Sequence, residues 1–180
     1  SPRQPEPGSI VMRLLYLMRH AKSDWHSAAR SDFDRPLNQR GARDAARMGQ
    51  WLNKNNIAPS LILSSPAERA KQTAAAVTEA MGLAAGRIQF NKDLYLADRA
   101  TLLHILHAVA EQTESVLLVA HNPGLDELVE WLAPERLPLS DSGKLMTTAA
   151  IAVFAVPVSW AKLERGTAAM QQLLRPKELT

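Results

Sequence analysis

The stretch LLYLMRHAKSDW, residues 14–25, begins as an apolar run and ends in a burst of charge. A strand that only filled a core would stop in a turn. This one delivers Arg19 and His20 side by side at its end, as a strand feeding an anion site would. Two more stretches share the pattern. SVLLVAHNPG, residues 115–124, is a buried-strand sequence ending in His121, and LILSSPAERAKQTA, residues 61–74, places Arg69 in the first turn of the helix after a short apolar run.

Working outward from these, apolar β-type runs alternate with segments of helical period. Strands are expected at Ile10–Met18, Leu61–Leu63, near Leu94, at Ser115–Ala120 and Ala149–Val156, with an edge strand near Met170–Leu174. Helices are expected from Asn38 to Asn55 with Asn38 as N-cap, from Pro66 until Gly82 closes the turn, from Thr101 to Ala110 and from Gly124 to Leu132. Alternating strands and helices predict an α/β fold, a three-layer α/β/α sandwich around a mostly parallel sheet. In such sheets ligands sit beyond the carboxyl ends of the strands. There Arg19, His20, Arg69 and His121 would meet.

Length and composition narrow the choices. With 180 residues, one domain over residues 10–180 is expected. Residues 1–9, SPRQPEPGS, are proline-rich and polar and read as a disordered extension or cloning remnant. There is no cysteine, so disulfides and thiolate chemistry are excluded. A net charge of +3 spread along the chain, with three phenylalanines and two tyrosines, does not build a stacking basic face for nucleic acid. No apolar stretch approaches the roughly 20 residues of a membrane span, and the N-terminus lacks an apolar signal core. A cytoplasmic protein is expected.

Two guanidiniums and two imidazoles converging on one sheet edge make a site for a compact, multiply charged oxyanion, with phosphate the obvious candidate. No acidic cluster accompanies them to hold a metal. The motifs LYLMRHAKSDW, DFDRPLNQRG (residues 32–41), LILSSPAERAKQTA, DLYLAD (93–98), VLLVAHNPGLDELV (116–129) and TTAAIAVF (147–154) resemble, in that order, the histidine phosphatase (phosphoglycerate mutase-like) superfamily and its SixA-type branch. The widespread family pattern has glycine after the nucleophilic histidine, where this chain has Ala21, a feature of SixA-like sequences.

The resemblance implies roles. His20 is the expected nucleophile, forming a phosphohistidine intermediate, with its second ring nitrogen held as a donor. Arg19 and Arg69 clamp the phosphoryl oxygens, and His121 adds a second imidazole to the phosphate. Mutase-type relatives use a glutamate as general acid. Asp93 stands nearest that place and reads either as the acid or as a helix-cap or loop carboxylate. Asn122 either binds the phosphoryl group or shapes the turn. Asp32, Asp34 and Arg35 read as anchors of a loop, and His104 with His107 as a helix face rather than a metal pair. No cofactor or metal is expected. Only one helix separates DLYLAD from SVLLVA, leaving little chain for a lid. An open site favours a phosphorylated protein of the histidine phosphotransfer type as partner, releasing inorganic phosphate. The alternatives are a broad small-molecule phosphomonoesterase and a catalytically inactive phosphate-binding module.

Overall fold

The computed structural model describes residues 12–133, 135 and 137–179. Six strands form one sheet: β1 Arg13–Arg19, β2 Leu61–Ser64, β3 Ile88–Phe90, β4 Ser115–Ala120, β5 Ile151–Val156 and β6 Ala169–Leu174, in the order β3-β2-β4-β1-β5-β6. The pairs β1–β4, β2–β4 and β2–β3 are parallel, while β5 runs antiparallel to both β1 and β6. The reversed strand matters for function. It brings the segment before β5 back to the carboxyl end of β1, where Arg19 N–H donates to Ala150 O and Ala149 N–H to His20 O, both at 3.1 Å.

Side-chain alternation assigns the two faces. Leu15 and Leu17 point with Val116, Leu118 and Phe154 toward α3 (Arg99–His107) and α4 (Gly124–Leu132). Tyr16 and Met18 point with Leu117 and Val119 toward α1 (Gln39–Lys54) and α2 (Glu68–Ala80). Helices on both faces explain why β1 and β4 read as unbroken apolar runs rather than alternating ones. Each fully buried leucine or methionine contributes about 1.5–3 kcal/mol of transfer free energy.

The helix ends follow local capping chemistry. Asn38 accepts from Gly41 N–H at 2.8 Å and starts α1 as expected. Pro66 does not open α2. The helix begins at Glu68, with Ala67 as its cap residue. Asp98 accepts from Thr101 N–H at 2.9 Å and starts α3 at Arg99, two residues earlier than the apolar period suggests. The strand expected near Leu94 is a correction: Leu94 closes a 3₁₀ turn, Lys92–Leu94, capped by Asn91, and the strand is Ile88–Phe90. Leu94 is fully buried because that turn drives it into the layer beneath α3 and α4. Ile10 and Val11, like the extension at residues 1–9, lie outside the described residues.

Gly124, the first residue of α4, fixes the approach of β4's terminal loop to the Tyr95–Asp98 segment. A Cβ there would lie 1.8 Å from the carbonyl oxygen of Ala97, a backbone atom. Gly124→Ala is therefore expected to destabilise the fold by about 1–3 kcal/mol, as overpacking of a close contact does. Urea denaturation measures it, and an unchanged midpoint would contradict this packing.

Candidate active site

The carboxyl ends of β1 and β4, together with the turn into α2, surround a cleft of about 250 Å³. Arg19, His20, Arg69, His121 and Asn122 all line it. His20 and His121 sit at the ends of adjacent parallel strands, with ring centroids 5.2 Å apart. Three of these side chains are taken from water almost entirely: His20 is 8%, Arg69 2% and His121 1% exposed.

Backbone contacts fix the state of His20. Its Nδ1 lies 2.8 Å from the carbonyl of Ala21, so Nδ1 carries the ring proton and donates it. That leaves the lone pair on Nε2, which faces Arg69 Nε at 3.4 Å. Ala21 keeps an ordinary backbone angle, and its N–H donates to Thr73 Oγ1 at 3.0 Å. Thr73 in turn donates to Arg69 O at 2.7 Å. The loop after His20 and the helix bearing Arg69 are thus joined by one buried hydroxyl.

His121 Nε2 meets Ser65 Oγ at 2.7 Å, and the same Oγ accepts from Ala67 N–H at 3.3 Å. The serine hydroxyl thus holds the His121 ring in place through Nε2. Two buried side-chain nitrogens of cleft-lining residues, His121 Nδ1 and Arg19 Nε, have no hydrogen-bond partner among the described residues. Both suit an oxyanion. Arg19 is held in place by donation to Met146 O at 3.0 Å.

Asp32 is the residue that sequence reading undervalued. Its Oδ2 accepts from Arg69 Nη2 at 3.0 Å and from the Tyr95 hydroxyl at 2.5 Å, and Oδ1 accepts from Arg35 Nη1 at 2.5 Å. Its carbonyl accepts from Arg69 Nη1 at 2.7 Å. Far from only anchoring a loop, Asp32 orients the arginine that faces His20. Its partners Arg69 and Tyr95 lie 37 and 63 residues away in sequence, so no local pattern could reveal it.

Asp93 is exposed, and the cleft-lining residues do not include it. Its N–H donates to Asn91 Oδ1 in the turn that leads to Tyr95. Asn122 lines the cleft, but its amide donates to Met146 O and accepts from Asp126 N–H, both at 3.1 Å, which is turn-shaping work. His107 donates Nε2–H to Leu163 O at 2.7 Å, and His104 is exposed on the same helix. Among the described residues no group of three or more histidines and carboxylates could hold a metal ion.

Comparison with known proteins identifies the family. The family model of the histidine phosphatase superfamily, branch 1, matches residues 15–99. An uncharacterized protein of Mycobacterium tuberculosis is 34% identical over 85% of this chain and 96% of its own. The phosphohistidine phosphatase SixA of Escherichia coli is 30% identical over 77% of this chain and 82% of its own. The chain belongs to the histidine phosphatase superfamily. Within that family of phosphatases it is of the SixA type. The structure of the protein histidine phosphatase SixA complexed with tungstate superposes with a TM-score of 0.75 at 26% identity, covering 93% of this chain and 99% of that one.

Electrostatics in this histidine phosphatase keep both imidazoles neutral. Burial is the main cause that lowers His20 to about 3, with His121, Arg69 and Arg19 adding repulsion against the Ala21 hydrogen bond. Burial, then Arg69, lowers His121 to about 4, opposed by Asp32. An unfolded histidine titrates near 6.5. Between about pH 6.5 and 4 the unfolded chain therefore binds more protons than the folded one, and stability falls as the pH falls. Urea midpoints are expected to decline across that window, while imidazole resonances of His20 and His121 show no titration step near pH 6.5. A flat midpoint from pH 7 to 4 would contradict the buried neutral pair.

Proposed function

We propose that this protein is a metal-independent phosphohistidine phosphatase acting on phosphorylated protein histidine. The observation that carries the reading is the state of the cleft's acid. Among the described residues lining the cleft, the one carboxylate is Asp32, and it is bonded to two guanidiniums and a phenol. The Tyr95 hydrogen bond, working against burial and joined by those from Arg35 and Arg69, holds its pKa well below the ordinary carboxylate range. At neutral pH Asp32 is an acceptor and has no proton to give.

A leaving group must then depart with little help. An imidazole leaves with a reference pKa near 6.5, whereas an alkoxide is far more basic and needs a firm donor. In the proposed first step the Nε2 lone pair of His20 attacks phosphorus in line. The substrate ring has taken a proton from solvent on its other nitrogen, so when its P–N bond breaks the electron pair stays on the ring and a neutral imidazole leaves. Arg19, Arg69 and His121 hold the non-bridging oxygens as charge builds. In the second step water attacks phosphorus, its proton passes to solvent, and the P–N bond to His20 breaks to release inorganic phosphate.

The surroundings of the cleft support a protein-borne phosphate. Trp25 (69% exposed) and Leu96 (56% exposed) line it, with Phe33 nearby on the Asp32 segment. Arg35 stacks 3.7 Å above the Trp25 ring and steadies it. Exposed tryptophan held rigid beside such a cleft is the composition of a protein contact. Leu96 adopts a left-handed φ of 52°, a conformation that bulky side chains rarely take, and this turns its side chain outward at the rim.

Brief reaction with a labelled phosphohistidine protein, quenched without acid, is expected to leave label on His20 that survives alkali and is lost in acid. His20→Ala should abolish both labelling and turnover in a folded protein. Vanadate should inhibit, chelators should not, and p-nitrophenyl phosphate, with its weakly basic leaving group, should be turned over while alkyl phosphates react poorly. Turnover that survives His20→Ala, or sugar phosphates outrunning phosphohistidine protein, would overturn the reading.

A further inference from the structure

Beside the cleft lies a second recess of about 530 Å³, and Arg19, Lys22 and Thr148 belong to the walls of both. Apart from Pro176, every residue lining it is polar or charged. Its far wall is built rather than incidental. Arg175, 4% exposed, donates Nε to Leu145 O at 3.1 Å and Nη2 to the carbonyls of Lys144 and Pro138, which ties the Ser140–Lys144 loop to the C-terminal segment.

The charges divide into neutralised and free. Arg175 pairs with Glu178 at 3.1 Å and Arg40 with Asp44 at 3.6 Å. Lys22, Lys144 and Lys177 form no ion pair within 4.0 Å among the described residues, and of the recess's acids Asp141 alone is likewise unpaired. The recess therefore carries an excess of positive charge beside the site where phosphate would bind. Its character differs from that of the cleft. The cleft uses buried, fixed guanidiniums, the geometry that grips a phosphoryl group. Lys144 and Lys177 are exposed ammoniums on flexible stems, point charges suited to steering and registering carboxylates at a wet contact.

We propose that this recess receives acidic side chains flanking the phosphohistidine on the protein substrate, with Lys22, Lys144 and Lys177 as their charge partners. The proposal rests on the phosphohistidine reading above and names the substrate's class more closely. The phosphorylated histidine enters beside Trp25 and Leu96, and its acidic neighbours extend past Arg19 into the recess.

Two phosphohistidine peptides that differ only in carrying glutamate or glutamine around the histidine test it. Wild-type protein is expected to favour the acidic peptide in kcat/KM by about five- to tenfold at low salt, with the preference shrinking as salt screens it. Combining Lys144→Ala with Lys177→Ala should erase the preference and leave p-nitrophenyl phosphate turnover unchanged. No preference in wild type, or one that survives the double substitution, would overturn the proposal while leaving the phosphohistidine reading intact. Loss confined to a small doubly charged phosphoester such as 3-phosphoglycerate would also overturn it, by assigning the recess to a metabolite. Cleavage of p-nitrophenyl phosphate with neither peptide turned over would remove the phosphohistidine reading and this proposal together.

Discussion

Parallel pairing of β1 with β4 sets Arg19 opposite Ala120, and the site depends on that register. His20 N–H donates to Ala120 O at 3.1 Å, so the two strands end level and their next residues, His20 and His121, emerge side by side. A slip of one residue would turn Leu15 and Leu17 to the face that Tyr16 and Met18 now occupy, and would carry His20 out of line with His121. The apolar alternation that packs α3 and α4 on one face and α1 and α2 on the other is thus the same constraint that aligns the imidazoles. Packing free energy, spread over many leucines, holds a spacing that no single contact could hold.

Burial sets the chemistry of what is aligned. Four groups able to carry positive charge converge, and the fold avoids the repulsion by leaving both imidazoles unprotonated. The neutral form is what a nucleophile needs, so the desolvation that works against a charged histidine readies His20 for the attack proposed for it. Asp32 supplies the compensating negative charge from the solvent side, 43% exposed in its side chain, where it balances Arg69 without lying between the imidazoles. The Ala21 carbonyl settles which nitrogen keeps its lone pair.

Much of this was legible in the sequence because it is encoded locally. Runs such as SVLLVA mark strands buried on both faces, and the residues that end them name the site. Arg19, His20, Arg69 and His121 could be read as soon as the sheet was inferred, since all lie at strand ends or in the turn that follows. What escaped is encoded by distance in space. β3 has one buried side chain, Ile88, followed by two exposed ones, so it makes no apolar run, whereas buried Leu94 mimics a strand from inside a 3₁₀ turn. Asp32, Ser65, Thr73 and Tyr95 act through bonds to residues tens of positions away. Asp93 itself stays outside the cleft lining. From the same motif it is the Tyr95 hydroxyl, two residues on, that reaches Asp32.

That last contact links the loop geometry to the reaction. Asn91 caps the turn, Leu96 takes the left-handed angle, and Ala97 lies against Gly124, so the chain between Asn91 and Asp98 is pinned at both ends with Tyr95 aimed inward. A tyrosine held this way meets Asp32 as a fixed donor. It keeps the carboxylate ionised and directed at Arg69, and Arg69 faces the Nε2 of His20. In a mutase-like arrangement a carboxyl group on such a loop would give its proton to the leaving group. Here the loop's contribution is to fix an anion beside Arg69, and the absence of a proton-bearing carboxyl from the described lining of the cleft is what the proposed choice of a weakly basic leaving group rests on.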